Sequence, residues 1–439
     1  VVPLDSAPRL DRSFFAERRK CLFDAMGPHS VAVFEGAAAG HGRLQQDSDF
    51  YYLTGFSEPA AVCVLLTTDS ERSFILFVQP HDAKAERWDG KRAGIEGATE
   101  EFGADAAYAV QDLEKKLPSL LDRASTLYLT PNINTRSGRH ILEAFQNSAK
   151  SFARVGHGAS ELRDPAAVLT RLRMRKTPEE ILLMRHAAAI TREAYAAAIP
   201  EIRPGRWEFE IESLLDHAFR RQGGDGPAYT TIVGSGDNAT ILHYVANSRR
   251  IEPGDLVLVD AAAAYGHYVS DVTRTFPADG RFRPAQRSVY EAVLRTQKET
   301  IGNVRPGVSV KELHKAGALS LIEEMKRLRW LPDEPAEALF KEHRHHAFFM
   351  HGIGHYLGLD THDAGFTEME GSPYPLEEGM VITVEPGLYV PRGTEGVAEE
   401  FQGIGVRIED DVLVTADGAE VLTVGIPKEI EEVEEALSR

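Results

Sequence analysis

Four times in the second half of this 439-residue chain an acidic residue ends or interrupts an apolar run. Asp260 closes LVLVD, Asp271 stands just ahead of VTRTF, Glu385 closes VITVE, and Glu409 sits inside VRIED. A carboxylate carried into an apolar interior is costly unless a cation or hydrogen-bond donors meet it. Taken singly, each acid reads as a strand-end or turn residue, a common place for one. Four such cases in one region demand more: the strands must bring the acids together around positive charge.

The stretch HGIGHYLGLDTHD (351–363) supplies a nitrogen donor in His355. Two aspartates, two glutamates and one histidine suit a pair of divalent ions, whose charge balances the four carboxylates. Without metal the four anions repel strongly at short range. Carboxylates bridging two ions hold them about 3.5–4 Å apart, the separation used by two-metal hydrolases. The oxygen-rich set favours manganese, magnesium or iron over a thiolate-type zinc site, and zinc or cobalt is also accommodated.

Two other motifs compete for attention. His351 and His355 are four apart, as in a helical zinc clip, but that motif places Glu after its first His and here Gly352 follows. Gly352, Gly354 and Gly358 would each cost a helix interior roughly 1 kcal/mol, so a loop presenting the histidines one by one fits better. The segment GSGDNA (234–239) follows the strand-like YTTIV and matches a dinucleotide pattern. That pattern must open a helix, whereas TILHYVANSRRIEPGD is turn-rich and breaks at Pro253–Gly254. What this segment contributes instead is His243.

A helix start is written into RKTPEEILLMRHAAAITREAY: Thr177 can cap, Pro178 suits the first turn, and Glu180 completes a capping box. Ile181, Met184 and Ala188 recur on one face. This places one domain over 1–174 and a second over 175–439. The first predicts a helix over 12–26, strands at 31–34, 61–67, 73–78 and 126–130, and helices near 99–120 and 136–150, an α/β alternation. In the second, DLVLVDAAAAYGHYVSDVTRTFP (255–277) predicts two strands joined by a turn around Gly266. GMVITVEPGLYV (379–390) and GIGVRIEDDVLVT (403–415) predict further strands, and helices fill 207–222, 284–302 and 309–327. The expected class is α+β, a mixed, largely antiparallel sheet backed by helices. Arg407 and Glu409, two apart on a strand, should face the same way. EIEEVEEALSR at the end reads as a solvated acidic helix.

Composition removes several function classes. With 49 basic against 67 acidic residues the net charge is −18. That argues against nucleic acid or anionic membrane as a partner, because phosphate binding draws on clustered Lys and Arg. No apolar run approaches the ~18 residues of a membrane span, and the opening VVPLDSAPRLDRSFFAERRK has no signal-peptide pattern. Cys21 and Cys63 lack zinc-like spacing and read as small core residues. A reducing, cytoplasmic setting is the expectation.

The ordered set His243, Asp260, Asp271, His351, His355, His362, Glu385, Arg407, Glu409 is carried by ILHY (241–244), LVDAAAAYGHYVSDVTRTF (258–276), HGIGHYLGLDTHD, TVEPGLYV (383–390) and GIGVRIEDDVLV (403–414). It closely resembles the metallopeptidases with the pita-bread fold, a family that includes aminopeptidase P, prolidase and methionine aminopeptidase. QQDSDFYYLTGFSEPAAVCVL (45–65) is similar to the creatinase/prolidase-type N-terminal domain, particularly that of aminopeptidase P. The resemblance spans nearly the whole chain and implies a C-terminal pita-bread catalytic domain behind a smaller N-terminal one.

It also implies roles. Asp260, Asp271, His355, Glu385 and Glu409 would hold two divalent ions, manganese before zinc, cobalt or iron, with Asp271 and Glu409 bridging. Glu385 would shuttle the proton of the attacking water, and His243 and His362 would stabilise the oxyanion. His351, Tyr389 and Arg407 would shape a pocket for proline, and Trp88 in AERWDGKRAG would edge the cleft, in some relatives from a neighbouring subunit. The implied activity is that of an Xaa-Pro aminopeptidase, acting on peptides with proline in second position, as a homodimer or homotetramer. The alternatives are a prolidase restricted to Xaa-Pro dipeptides, or a non-catalytic pita-bread binding protein. Relatives of the latter kind lose ligands, and here all five positions are filled. Creatinases share the architecture without using the metal centre, and methionine aminopeptidases generally lack the extra domain.

Overall fold

The side chain of Asp11 accepts the N–H of Phe14 and starts the helix Arg12–Met26, which buries Phe15, Leu22, Phe23 and Met26. The structure is a computed structural model and describes residues 7–38 and 44–438. The chain divides into two compact units, Leu10–Leu172 and Arg173–Arg439, the second including residues 7–9.

The first unit is built on a six-stranded sheet in the order Ala106–Ala109, Arg72–Val78, Val62–Thr67, Ser30–Glu35, Thr126–Tyr128, Glu161–Arg163. Val62–Thr67 runs antiparallel to both its neighbours, and Thr126–Tyr128 parallel to both of its own. Val62–Thr67 is buried at every residue, so its sequence is a continuous apolar run rather than an alternation. Val31, Val64, Leu66 and Phe77 pack with Leu117 of the helix Leu113–Leu121 and Ile141 of the helix Arg136–Val155. Cys63 lies inside this sheet, where burial pushes its thiol up to about 12 and leaves it inert. Cys21 is half-buried on the first helix.

One expectation fails here. No single helix runs over 99–120: the helix Gly94–Glu100 ends, the strand Ala106–Ala109 intervenes, and a second helix begins at Leu113. Gly103 takes φ +76°, and the Asp105 carboxylate accepts the N–H of Phe74 at 2.7 Å. These bring 106–109 into parallel register with Ile75–Val78, and the sheet edge overrides the helical propensity of an alanine-rich run.

In the second unit the capping box at Thr177 is formed, its hydroxyl accepting from Glu180 and the Glu180 carboxylate accepting the Thr177 N–H at 2.7 Å. The helix begun there, Pro178–Ala198, buries Met184 and Ala188 with Leu183, Ala187 and Ala194. The helices Glu208–Arg221, Pro284–Asn303 and Val310–Arg327 lie where the periodicity put them, and Ile430–Leu437 is the acidic closing helix. Among the described residues every strand pairing in this unit is antiparallel. Among the described residues no helix is long and apolar enough to cross a membrane.

The predicted long strands are each broken. Residues 255–277 form Leu256–Asp260, Ala263–Tyr265, Tyr268–Val269 and Thr273–Pro277, with a tight turn at Gly266 and His267, both at positive φ. Residues 379–390 break between Val381–Val384 and Gly387–Val390, where Pro386 has no N–H to continue a ladder. Residues 403–415 break between Ile404–Arg407 and Asp410–Thr415. Asp260, Asp271, Glu385 and Glu409 all fall at or beside these breaks.

Candidate active site

The breaks point the acids into one cavity of about 550 Å³. Its wall includes Tyr229, Ile232, Leu242, His243, Asp260, Asp271, His351, His355, His362, Glu385, Arg407 and Glu409. Strand ends suit this purpose, because a side chain there leaves the ladder while its backbone stays anchored. The N–H of Glu409 donates to the Thr273 carbonyl at 3.0 Å, and that of Glu385 to the Ile353 carbonyl at 2.8 Å.

Ligating atoms of Asp271, His355 and Glu409 all lie within 4.8 Å of one another. Glu385 adjoins them, its Oε1 3.6 Å from His355 Nε2, while Asp271 Oδ2 is 3.5 Å from the same nitrogen. Asp260 lines the same cavity but turns aside: Tyr229 Oη donates to its Oδ1 at 2.6 Å and Arg407 Nη2 to its Oδ2 at 2.5 Å. Arg407 Nε also reaches Thr273 Oγ1 at 3.0 Å, and that hydroxyl donates to Glu409 at 2.7 Å. Arg407 and Glu409 therefore share the site although the strand ends at Arg407.

A second chain of contacts crosses the cavity. Arg407 Nη1 donates to Tyr389 Oη at 3.1 Å, and Tyr389 Oη lies 2.8 Å from His351 Nε2. His351 Nδ1 stands 2.8 Å from the Gly352 carbonyl and 3.5 Å from Glu385. His243 and His362 are exposed at the rim, and the His362 ring meets the His355 ring edge-on at 4.4 Å between centroids. Trp88 stands on the first unit, in the short helix Glu86–Asp89, with 86% of its surface exposed, and is not among the residues lining the cavity.

The electrostatics of this set are unbalanced. Burial, with Asp260 and other acids nearby, pushes Asp271 well above the ordinary carboxylate range. Burial with Glu409 does the same to Glu385, and burial with Asp271 to Glu409. Burial lowers His355 to about 4 and His351 to about 3, so both are neutral at physiological pH. His355 Nδ1 faces the Tyr356 carbonyl at 3.0 Å, which only accepts. The ring proton therefore sits on Nδ1, and Nε2 aims a lone pair at two carboxylates. Lone pair against anion is tolerable only with protons or cations between them, and among the described residues Arg407 is the one guanidinium on the wall. Oxygen donors with one neutral imidazole are what a hard divalent cation takes, so these residues fit such ions.

Several supporting groups escaped the sequence reading. Tyr229, on Asp260, gave no signal. Asp411 accepts from Ser270 Oγ at 2.8 Å and from the N–H of Asp271 at 3.0 Å. Arg274 is fully buried and donates to the Glu409 carbonyl at 2.5 Å and to Asp410 at 2.7 Å. The rule that flagged acids in apolar strands, applied to the arginine in VTRTF, would have found it.

Fold and site together define a metal-dependent peptidase. Residues 182–416 match the model of metallopeptidase family M24, and residues 15–128 match the aminopeptidase P N-terminal domain. The chain belongs to metallopeptidase family M24. It is 38% identical to the Xaa-Pro aminopeptidase of Haemophilus influenzae over 98% of both chains. Among solved structures, Pseudomonas aeruginosa aminopeptidase PepP superposes with a TM-score of 0.93 at 39% identity, covering 98% of each chain. Zinc-substituted Escherichia coli aminopeptidase P in complex with product gives 0.92 at 37%, covering 98% of this chain and 99% of that one.

Proposed function

We propose that this chain is an Xaa-Pro aminopeptidase, a metal-dependent enzyme that releases the N-terminal residue from peptides whose second residue is proline. The observation that carries the reading is the cavity in which Asp271, His355 and Glu409 converge beside the Arg407–Tyr389–His351 chain. The catalytic domain is assigned to 175–439, behind an N-terminal domain over 1–174.

Asp260, Asp271, His355, Glu385 and Glu409 would hold two divalent ions, manganese by preference. Ions of this kind lower the pKa of water and polarise a carbonyl. Glu385 takes the proton of the attacking water and returns it to the departing proline nitrogen, acting first as general base and then as general acid. His243 and His362 donate to the carbonyl oxygen as it gains charge, each such donor contributing roughly 3–4 kcal/mol in the transition state. Asp260 complements the free α-amino group and so confines cleavage to the first bond. His351, Tyr389 and Arg407 form the wall against proline, whose tertiary amide has no N–H to bind. The exposed Trp88 ring has the free aromatic face that an edge-of-cleft role needs. The working form is assigned as a cytoplasmic homodimer or homotetramer.

Ala-Pro-Ala, Ala-Ala-Ala and Ala-Pro, assayed with manganese and after chelation, test the reading. Ala-Pro-Ala alone is cleaved efficiently, and only with metal. Turnover confined to Ala-Pro would make the chain a prolidase. Hydrolysis that survives chelation would place it with creatinase-like enzymes, and no hydrolysis at all would make it a binding protein.

A further inference from the structure

Glu208, the first residue of the helix Glu208–Arg221, has no exposed surface. A buried carboxylate persists only when its oxygens are fully met, and here five donors meet it. Ser235 N and Ser235 Oγ donate to Oε1, each at 2.7 Å, with Asn238 Nδ2 at 3.2 Å. Tyr244 Oη at 2.9 Å and Arg249 N at 2.7 Å donate to Oε2. All five lie between residues 235 and 249. Ser235 and Arg249 are the two ends of that segment, and Tyr244 directly follows His243.

From 241 to 249 the segment has neither helix nor strand, and among the described residues the His243 ring makes no hydrogen bond. Its position is therefore set by the backbone beneath it. The rest of the segment is seated tightly: a Cβ on Gly405 would overlap the Ala239 carbonyl. The glycines of GSGDNA serve a packed turn, Gly236–Thr240 in 3-10 form: Gly236 has φ +55°, and a Cβ on Gly234 would lie 2.8 Å from the Asn238 carbonyl.

We propose that Glu208 is a positioning residue for the peptidase reaction, tying both ends of the 235–249 segment so that His243 stands at the cavity rim. The proposal rests on the role given to His243 under the proposed function. The test is a cycle of Glu208→Gln and His243→Ala in the metal-loaded full chain, with Ala-Pro-Ala turnover and amide hydrogen exchange over 235–249 as readouts. Glutamine keeps one acceptor and replaces the other with an NH2 that repels the Tyr244 and Arg249 donors.

Glu208→Gln lowers kcat about tenfold to a hundredfold, the scale of a misplaced catalytic group, with a smaller change in KM and faster exchange across the segment. In the His243→Ala background the same substitution changes kcat by less than about twofold, because the two act as one unit. Equal losses in both backgrounds, or unchanged turnover in Glu208→Gln, overturn the proposal and leave the role of His243 intact. Near-normal turnover in His243→Ala alone overturns that role, and the proposal with it. Should Glu208→Gln fail to fold, Tyr244→Phe removes one donor and keeps the ring. It gives a smaller loss that also vanishes with His243→Ala, and an additive loss overturns the proposal.

Discussion

His355 and His351 owe their tautomer, though not their neutrality, to backbone carbonyls. Each has Nδ1 within 3.0 Å of a carbonyl oxygen, so each presents Nε2 as an acceptor. His355 offers that nitrogen to the carboxylate cluster, and His351 offers it to the Tyr389 hydroxyl, which in turn accepts from Arg407. One residue type thereby meets a carboxylate cluster and a tyrosine–arginine pair from positions four apart. Glu385 lies against both histidines, and the proposed reaction turns on it. Glu385→Ala lowers kcat about a hundredfold to ten-thousandfold, the range for a lost general base, while the circular dichroism spectrum is unchanged. The chelated variant melts no lower than the chelated parent, because a crowded anion has been removed from a repelling cluster. Near-normal turnover would take Glu385 out of its assigned role.

At the scale of elements, the loop 351–363 is shaped by close approach. Gly354 has an ordinary φ, yet a Cβ there would overlap the Thr383 carbonyl, whereas at Gly352 the nearest atom is 3.6 Å away. Gly354→Ala therefore displaces the backbone that carries His355, and costs roughly a hundredfold in turnover along with manganese content measured after dialysis. Gly352→Ala, with room for its methyl against the surrounding protein, keeps the parent's manganese content, since no neighbouring atom has to shift. Equal effects at both positions would contradict this account of the loop. Its far end is pinned from the start of the second unit: Lys176 Nζ reaches Asp363 at 3.0 Å, and Arg173 pairs with Asp363 and Asp360. Asp363→Ala leaves two buried cations short of an anion and costs about 3–5 kcal/mol, read from denaturant unfolding.

At the scale of the molecule the cavity sets how stability responds to pH and metal. Asp271, Glu385 and Glu409 have raised pKa values in the folded protein. Such groups bind more protons folded than unfolded, so their contribution to stability falls as pH rises from the ordinary carboxylate range through the raised values. His351 and His355 work the opposite way, but only below their ordinary 6.5. Above that pH the carboxylates act alone. The chelated protein loses melting temperature as pH rises above 6.5, where the histidines no longer oppose the carboxylates, and manganese removes most of that slope because cations replace protons. The net charge of −18 is common to both samples and cancels in the comparison. An equal slope with and without metal would count against a shared carboxylate centre.

The sequence by itself determined the elements whose cause is local. The capping box at Thr177, the helices near 208–221, 284–303 and 310–327, and the turn at Gly266 follow from side chains within a few residues of each other. It also marked the acids, because a charge inside an apolar run is unfavourable wherever that run folds. Tertiary structure decided what depends on distant partners. The strand Ala106–Ala109 exists because Ile75–Val78 lies beside it, and Tyr229, Arg274 and Asp411 gain their functions only where chain breaks bring them under the acids. It also decided which oxygen of Asp260 meets Arg407 and which meets Tyr229. The physical reason is that a residue's cost of burial is local, while what offsets that cost is set by whichever groups the fold places against it.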